Sequence, residues 1–230
     1  MRPPASAAAS RVRRQKLCDL PISGQGDTGQ VDISDLDADP LRQLAAWLED
    51  ARRAGEPMPE AMTIATATAD GMPSARMVIL RGISPGLVFF TDVTSDKGAE
   101  LAANPRAAAV LHWLRPAHRQ VRVAGPVEPA GVEEAREYWL TRPPEARRNA
   151  AASHQSSVIA DQAALRARVQ DLQLNYSDGA ADIPRPPRWG GFRVLPDRVE
   201  FWQESPDGLH DRIRYRRAGC DGWTTERLSP

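Results

Sequence analysis

Arg76 and Lys97 are the first residues in the chain whose types and placement suggest a binding chemistry. Arg76 stands at the start of a strand-like run, and Lys97 falls in the first turn of a short helix-like run. Free amides at a helix start, joined by a nearby ammonium, make a natural phosphate cradle. The bland alternative is a pair of solvated surface charges. A second group is Gln120 on a strand with Gln155, Ser156 and Ser157 in a polar loop. Their amides and hydroxyls can bond a heterocycle edge or a phosphate, or can be sheet-edge and loop polarity. A third is EFWQ at 200–203 followed by LHDR at 209–212, which puts Trp202, His210 and Arg212 near two adjacent strand ends. A buried indole with a satisfied imidazole is the alternative there. No Walker loop, GxGxxG, GxSxG, HExxH or CxxC motif is present. Any redox chemistry would therefore be lent by a cofactor, and the three groups together suit a phosphorylated aromatic one.

The elements that must position these residues are legible from periodicity. Asp39-Pro40 supplies a helix cap and a first-turn proline, and Leu41, Leu44, Ala45 and Leu48 follow at helical spacing until Gly55. From Met62 the period becomes two: MTIATATA, an Asp70-Gly71 turn and SARMVILRG read as a hairpin. GLVFFTD is a third strand, and SDKGAELAANP opens a short helix capped by Thr94 or Ser95. AAAVLHWL and RQVRVAGPVE add two strands. A helix follows around residues 130–141, then the polar segment RPPEARRNAAASHQSS and a helix from about Asp161 to Tyr176. After the Pro-rich linker DIPRPP come the closing strands WGGFRVL, DRVEFWQ, DRIRYRR and GWTTERL. Short turns between strands favour an antiparallel sheet or barrel over a doubly wound fold.

Composition narrows the classes further. The 230 residues, 41% hydrophobic and 26% charged, are enough for one sizeable domain, and no apolar run of ~18 residues predicts a membrane span. Thirty basic residues balance 30 acidic ones, so the field that drives nonspecific nucleic-acid binding is missing. Only Lys16 and Lys97 are lysines. Residues 1–36, rich in Ala, Ser, Gly, Pro and charge, read as a flexible tail ahead of one domain at 37–230. Cys18 and Cys220 lack metal-ligand spacing, which argues against a zinc site and a disulfide framework and favours a cytoplasmic location. The N-terminus has no apolar core of a secretory signal.

ARMVILRG, FFTDVTSDKG, NPRAAAVLHW, RQVRVAG, YWLTRP, HQSS, WGGFRV and VEFWQ…LHDR…YRR…GWTTERLSP stand in the order and spacing of the pyridoxamine 5'-phosphate oxidase family, which the chain resembles from about Asp39 to Pro230. The resemblance implies a mostly β, Greek-key split barrel with flanking helices, forming a homodimer with FMN bound at the subunit interface. It implies flavin contacts from Arg76, Met77, Val78, Ile79 and Leu80, from Phe90 and Thr91, and from Lys97, which would hold the FMN phosphate with Arg76. Gln120, Gln155, Ser156, Trp202 and Arg212 would complete the site, some from the partner chain. Arg81, Tyr138 and Arg142 match positions that hold the phosphate of pyridoxine or pyridoxamine phosphate, and His210 matches a residue beside the substrate ring and is the catalytic candidate. The implied reaction transfers a hydride from the substrate to the flavin, with dioxygen as the final acceptor and hydrogen peroxide as product.

Departures from the family pattern concentrate around the substrate. Arg81 replaces a lysine, Ala146 stands where a phosphate-binding serine is usual, Gly208 occupies the place of an arginine, and Asp96 replaces a basic residue beside Lys97. Two other readings therefore stand beside the vitamin oxidase. One is a specialised oxidase resembling the phenazine-biosynthesis branch, acting on a reduced heterocycle or other aromatic molecule. The other is a non-catalytic flavin-binding protein.

Overall fold

The computed structural model describes residues 31–176, 183–219 and 222–230. Helix α1 (Pro40–Arg53) starts as expected: the Asp39 carboxylate accepts from Leu41 N at 2.9 Å, and Pro40 fills the first turn. Its Leu44, Trp47, Leu48 and Ala51 are buried, and Trp47 meets Phe201 edge-on at 5.0 Å. Strands β1 (Ala61–Ala67) and β2 (Pro73–Ile79) form the antiparallel hairpin, in register from Ala61 opposite Ile79 to Ala67 opposite Pro73. Then come β3 (Leu87–Asp92), α2 (Asp96–Ala103), β4 (Arg106–Trp113), β5 (Arg119–Pro129), α3 (Val132–Thr141), α4 (Pro144–Ala152) and α5 (Gln162–Asn175). The chain closes with β6 (Trp189–Val194), β7 (Arg198–Gln203), β8 (Asp211–Ala218) and β9 (Gly222–Arg227).

All pairings are antiparallel, in the order β2-β1-β4-β5-β7-β8-β9, with β6 joining β5 to β3. The split-barrel expectation is met in part: the strands are antiparallel, but among the described residues the sheet does not close. The sheet branches at β5, which changes partners along its length. Arg119–Ala124 pair with β7, whereas Val127–Pro129 pair with β6. At the branch a side chain on Gly125 would stand 1.9 Å from the Leu195 carbonyl oxygen, so only glycine lets the two strands diverge there. The main core joins Met62, Ile64, Phe89, Leu111, Val121 and Phe201 of the sheet to the buried face of α1. A smaller cluster of Trp139, Ile183 and Trp189 sits between α3, α4 and β6.

Two local expectations also change. The polar segment after α3 contains a helix, α4, whose buried residues are Arg147 and Ala152; it lacks the apolar stripe by which periodicity finds helices. Part of the predicted tail is folded: Ile33–Asp35 form a 3-10 turn closed by an Asp32/Asp35 capping box, and Val31 N donates to Asp211 at 2.9 Å. Residues 1–30, with Cys18, and Cys220 lie outside the described residues. No described helix is long and apolar enough to cross a membrane.

Candidate functional site

The hairpin strand β2, strand β3 and helices α2, α3 and α4 enclose a cavity of about 530 Å3, within the usual range of small-molecule sites. β2 contributes Met77, Val78 and Ile79, β3 Phe90 and Thr91, and α2 Lys97. Tyr138, Arg142, Ala146, Asn149 and Trp189 complete the lining, with Arg81 and Gln155. Phe90 stacks on Tyr138 at 4.4 Å, giving one flat aromatic wall.

Lys97 is 8% exposed, and among the described residues its ammonium donates to neutral groups: Gln155 Oε1 at 2.8 Å, Ser95 Oγ at 2.9 Å and Thr91 Oγ1 at 3.2 Å. Burial pushes its pKa down, the nearby Arg76 adds to this, and Asp92, Asp96 and Glu100 pull it back. The expected Arg76–Lys97 cradle is thus divided. Arg76 pairs with Glu100 at 3.0 Å, donates to Ser74 Oγ at 2.6 Å and also bonds Thr66, and it does not line the cavity. Ser95 is the residue before α2, but its hydroxyl serves Lys97 and the Asp92 carbonyl and leaves the helix amides alone. Ser156 Oγ instead accepts from Asp96 N at 3.2 Å. Asp96 itself is exposed and does not line the cavity.

Across the cavity, the Arg142 guanidinium lies 4.2 Å over Trp189, and its Nη1 has no hydrogen-bond partner among the described residues. Burial lowers its pKa first, Tyr138 opposes this, and Arg81 and Arg147 lower it further. Arg81 stands 5.3 Å over the Tyr138 ring. Lys97, Arg81 and Arg142 therefore share a cavity whose lining includes no carboxylate among the described residues. Such a site attracts an anionic ligand with a flat apolar body.

The remaining expected residues lie elsewhere. Strand register sets His112 opposite Gln120, Gln120 opposite Trp202 and Trp202 opposite Arg212, a row across β4, β5, β7 and β8. Arg212 donates to Glu200 Oε1 at 3.0 and 2.8 Å and to the Ser229 carbonyl at 3.0 Å. The His210 ring is 4.9 Å from Trp202, and its Nδ1 accepts from Ser205 N at 3.1 Å. None of Gln120, Trp202, His210 and Arg212 lines the cavity of the same chain. Leu80, 3% exposed, belongs to the core. The row shares a sheet face with Met77, since Met77, Thr63, Val110 and Arg122 stand opposite one another on successive strands. Sequence reasoning missed Asn149, Ala150, Ser153 and Trp189. Trp189 carried a signal in WGGFRV, whereas the others depended on recognising α4.

Residues 48–176 match the family model described as pyridoxamine 5'-phosphate oxidase, and residues 189–230 match the one described as pyridoxine 5'-phosphate oxidase C-terminal dimerisation region. A pyridoxine/pyridoxamine 5'-phosphate oxidase of Paraburkholderia phymatum is 46% identical over 203 residues, 88% of this chain and 94% of that protein. One from Ralstonia pickettii is 47% identical over 201 residues, 87% and 93% of the two chains. Among solved structures, PhzG from Burkholderia lata 383 in complex with tetrahydrophenazine-1-carboxylic acid superposes with a TM-score of 0.83 at 35% identity, covering 90% of this chain and 100% of that one. The architecture is therefore that of a split-barrel oxidase, with helices on a mostly antiparallel sheet. The chain belongs to the pyridoxamine 5'-phosphate oxidase family.

Proposed function

We propose that two copies of this chain bind FMN between them and oxidise pyridoxine or pyridoxamine 5'-phosphate with dioxygen as acceptor. The observation that carries this reading is the cavity in which Lys97, Arg81 and Arg142 meet aromatic walls and no carboxylate among the described residues. FMN suits it on chemical grounds: the direct hydrogen-bond partners of the buried Lys97 are neutral among the described residues, and a phosphate would add a charge-assisted contact. FMN, when bound, supplies hydride acceptance from the substrate's C4' carbon and return of the electrons to dioxygen as hydrogen peroxide.

The chain's own residues bind and orient. Lys97, with Thr91 and Gln155, holds the cofactor phosphate, while Met77, Val78 and Ile79 on β2 and Phe90 on β3 border its place. Arg81 and Arg142 take the anionic end of the substrate, and Tyr138 and Trp189 pack against its flat body. Arg76 acts at one remove, through the charge it shares with Glu100. The second copy supplies Gln120, Trp202, His210 and Arg212. Two facts support this: the row lies on the sheet face that carries Met77, itself 59% exposed, and the C-terminal match is to a dimerisation region. Gln155 anchors the loop that positions Ser156 over the start of α2.

A second reading has its own observation. Ala146 presents a methyl group to the cavity, and Gly208 carries no side chain on an exposed turn, so the substrate end has fewer polar contacts than the family pattern provides. A reduced tricyclic carboxylate such as the ligand of the PhzG structure suits that loss. Peroxide release from purified, flavin-loaded protein decides. Turnover of either vitamer phosphate supports the first reading; turnover of tetrahydrophenazine-1-carboxylic acid alone supports the second. Flavin content with no peroxide from any of them defeats both.

A further inference from the structure

A cluster of histidines outside the cavity has no part in the reading above except for His210. The His118 ring lies edge-on to Trp202, centroids 5.1 Å apart at 79°, and Trp202 in turn lies 4.9 Å from His210. His118 is held at two points. Its Nδ1 is 3.0 Å from Glu204 Oε2, and its Nε2 is 2.6 Å from His112 Nε2. Proton bookkeeping then fixes the donors. The nitrogen facing a carboxylate must carry a hydrogen, so in neutral His118 the Nε2 is a lone pair, and it accepts from Nε2–H of His112. The chain of donors runs from His112 through His118 to Glu204. It requires one proton, not two, between the facing Nε2 atoms.

We propose that His118 is a positioning residue for the oxidation: clamped between Glu204 and His112, it sets the plane of Trp202 and, through Trp202, the place of His210. This rests on the reading that Trp202 and His210 serve the site completed by a second copy. The charged groups around the clamp come from several elements. Glu204 follows β7. Glu56, between α1 and β1, accepts from Leu114 N and Arg115 N and acts on His112. Arg119 on β5 donates to Gln203, and Asp207 lies in the turn beside His210. Burial first, and then the neighbouring His118, hold His112 below the ordinary histidine range, while Glu56 opposes them. The short Nε2–Nε2 approach has room for one proton only, since a second would set two N–H groups against each other.

The test compares full-length, FMN-loaded wild type with His118→Phe and Glu204→Gln. Phenylalanine keeps a ring against Trp202 but bonds neither Glu204 nor His112; glutamine keeps an acceptor oxygen. In His118→Phe, kcat with pyridoxine 5'-phosphate falls about tenfold, KM changes less, and flavin per chain stays within about twofold of wild type. The acid limb of its kcat profile is displaced, and Glu204→Gln retains most of the activity. A readout independent of turnover is tryptophan fluorescence titrated from about pH 8 to about pH 5, because an imidazolium quenches a neighbouring indole. Wild type shows a quenching step that Trp202→Phe abolishes and that loses about half its amplitude or more in His118→Phe. Unchanged kcat and pH profile in His118→Phe, or activity lost only in proportion to flavin, overturns the proposal. If wild type oxidises no tested substrate, the functional reading is what has failed, and the fluorescence step decides alone: its absence from wild type, or its persistence at full amplitude in His118→Phe, overturns the positioning role.

Discussion

The cavity and the outer sheet face use the same cations for opposite ends. On the outer face Arg212 and Arg122 share Glu200, and Arg214 and Arg216 share Glu226. In the cavity Lys97 has hydroxyl and amide partners, Arg81 and Arg142 rest on aromatic rings, and no described carboxylate enters the lining. A cation with an acid beside it is largely spent as an anion receptor, whereas one held by neutral groups keeps its field. Cation identity is therefore less informative than cation company.

Substitutions can break this contrast. Lys97→Met removes the buried ammonium; FMN affinity should drop by roughly 2–3 kcal/mol, close to 100-fold, read by flavin titration of the stripped protein. Arg142→Ala should lower kcat/KM for the vitamer phosphates by about 10- to 100-fold while flavin content stays at the wild-type level. An equal loss of flavin would put Arg142 in the cofactor site instead. Arg212→Ala acts on a paired cation, so its effect should be mixed: weaker flavin retention, about tenfold, together with a lower melting temperature because Glu200 loses one of its two ion-pair partners among the described residues. Unchanged flavin occupancy would remove Arg212 from the site.

Gly208→Arg sharpens the contrast by adding a cation without an acid. Space is open around the site, with no heavy atom within 4 Å of the added carbon, but φ is +80°. The expected result is a gain of several-fold in vitamer turnover set against about 1 kcal/mol of backbone strain, seen as a small fall in melting temperature. No gain in turnover would point to a pocket rebuilt for another substrate. The smallest effect is on pH. Lys97 loses its proton below the ordinary lysine range, so FMN affinity should fall as pH rises through that lowered pKa. Stability of the apo protein should move the other way, rising between the lowered and the ordinary value, because the unfolded chain then binds more protons than the folded one.

Much of this protein was legible before folding. The β1–β2 hairpin and α1 announce themselves through period, caps and turn residues that act within a few positions. The ordered strings VEFWQ and LHDR pointed to Trp202, His210 and Arg212, and strand register brings Trp202 and Arg212 into one row. Helix α4 stayed hidden because it buries Arg147 and Ala152 in place of an apolar stripe, and with it went Asn149, Ala150 and Ser153. The branch of the sheet stayed hidden because β5 changes partners at Gly125, a choice made by strands about seventy residues downstream in the chain.

Residue order alone was enough for the family, the antiparallel elements and the cations from which an anion site can be built. It could not say which cations remain uncompensated. Arg76 meets Glu100 and Arg212 meets Glu200, whereas no carboxylate among the described residues pairs directly with Lys97 or Arg142. Charge interaction depends on separation in space and on exclusion of water, and both are set when distant segments pack, after the local pattern has already been read.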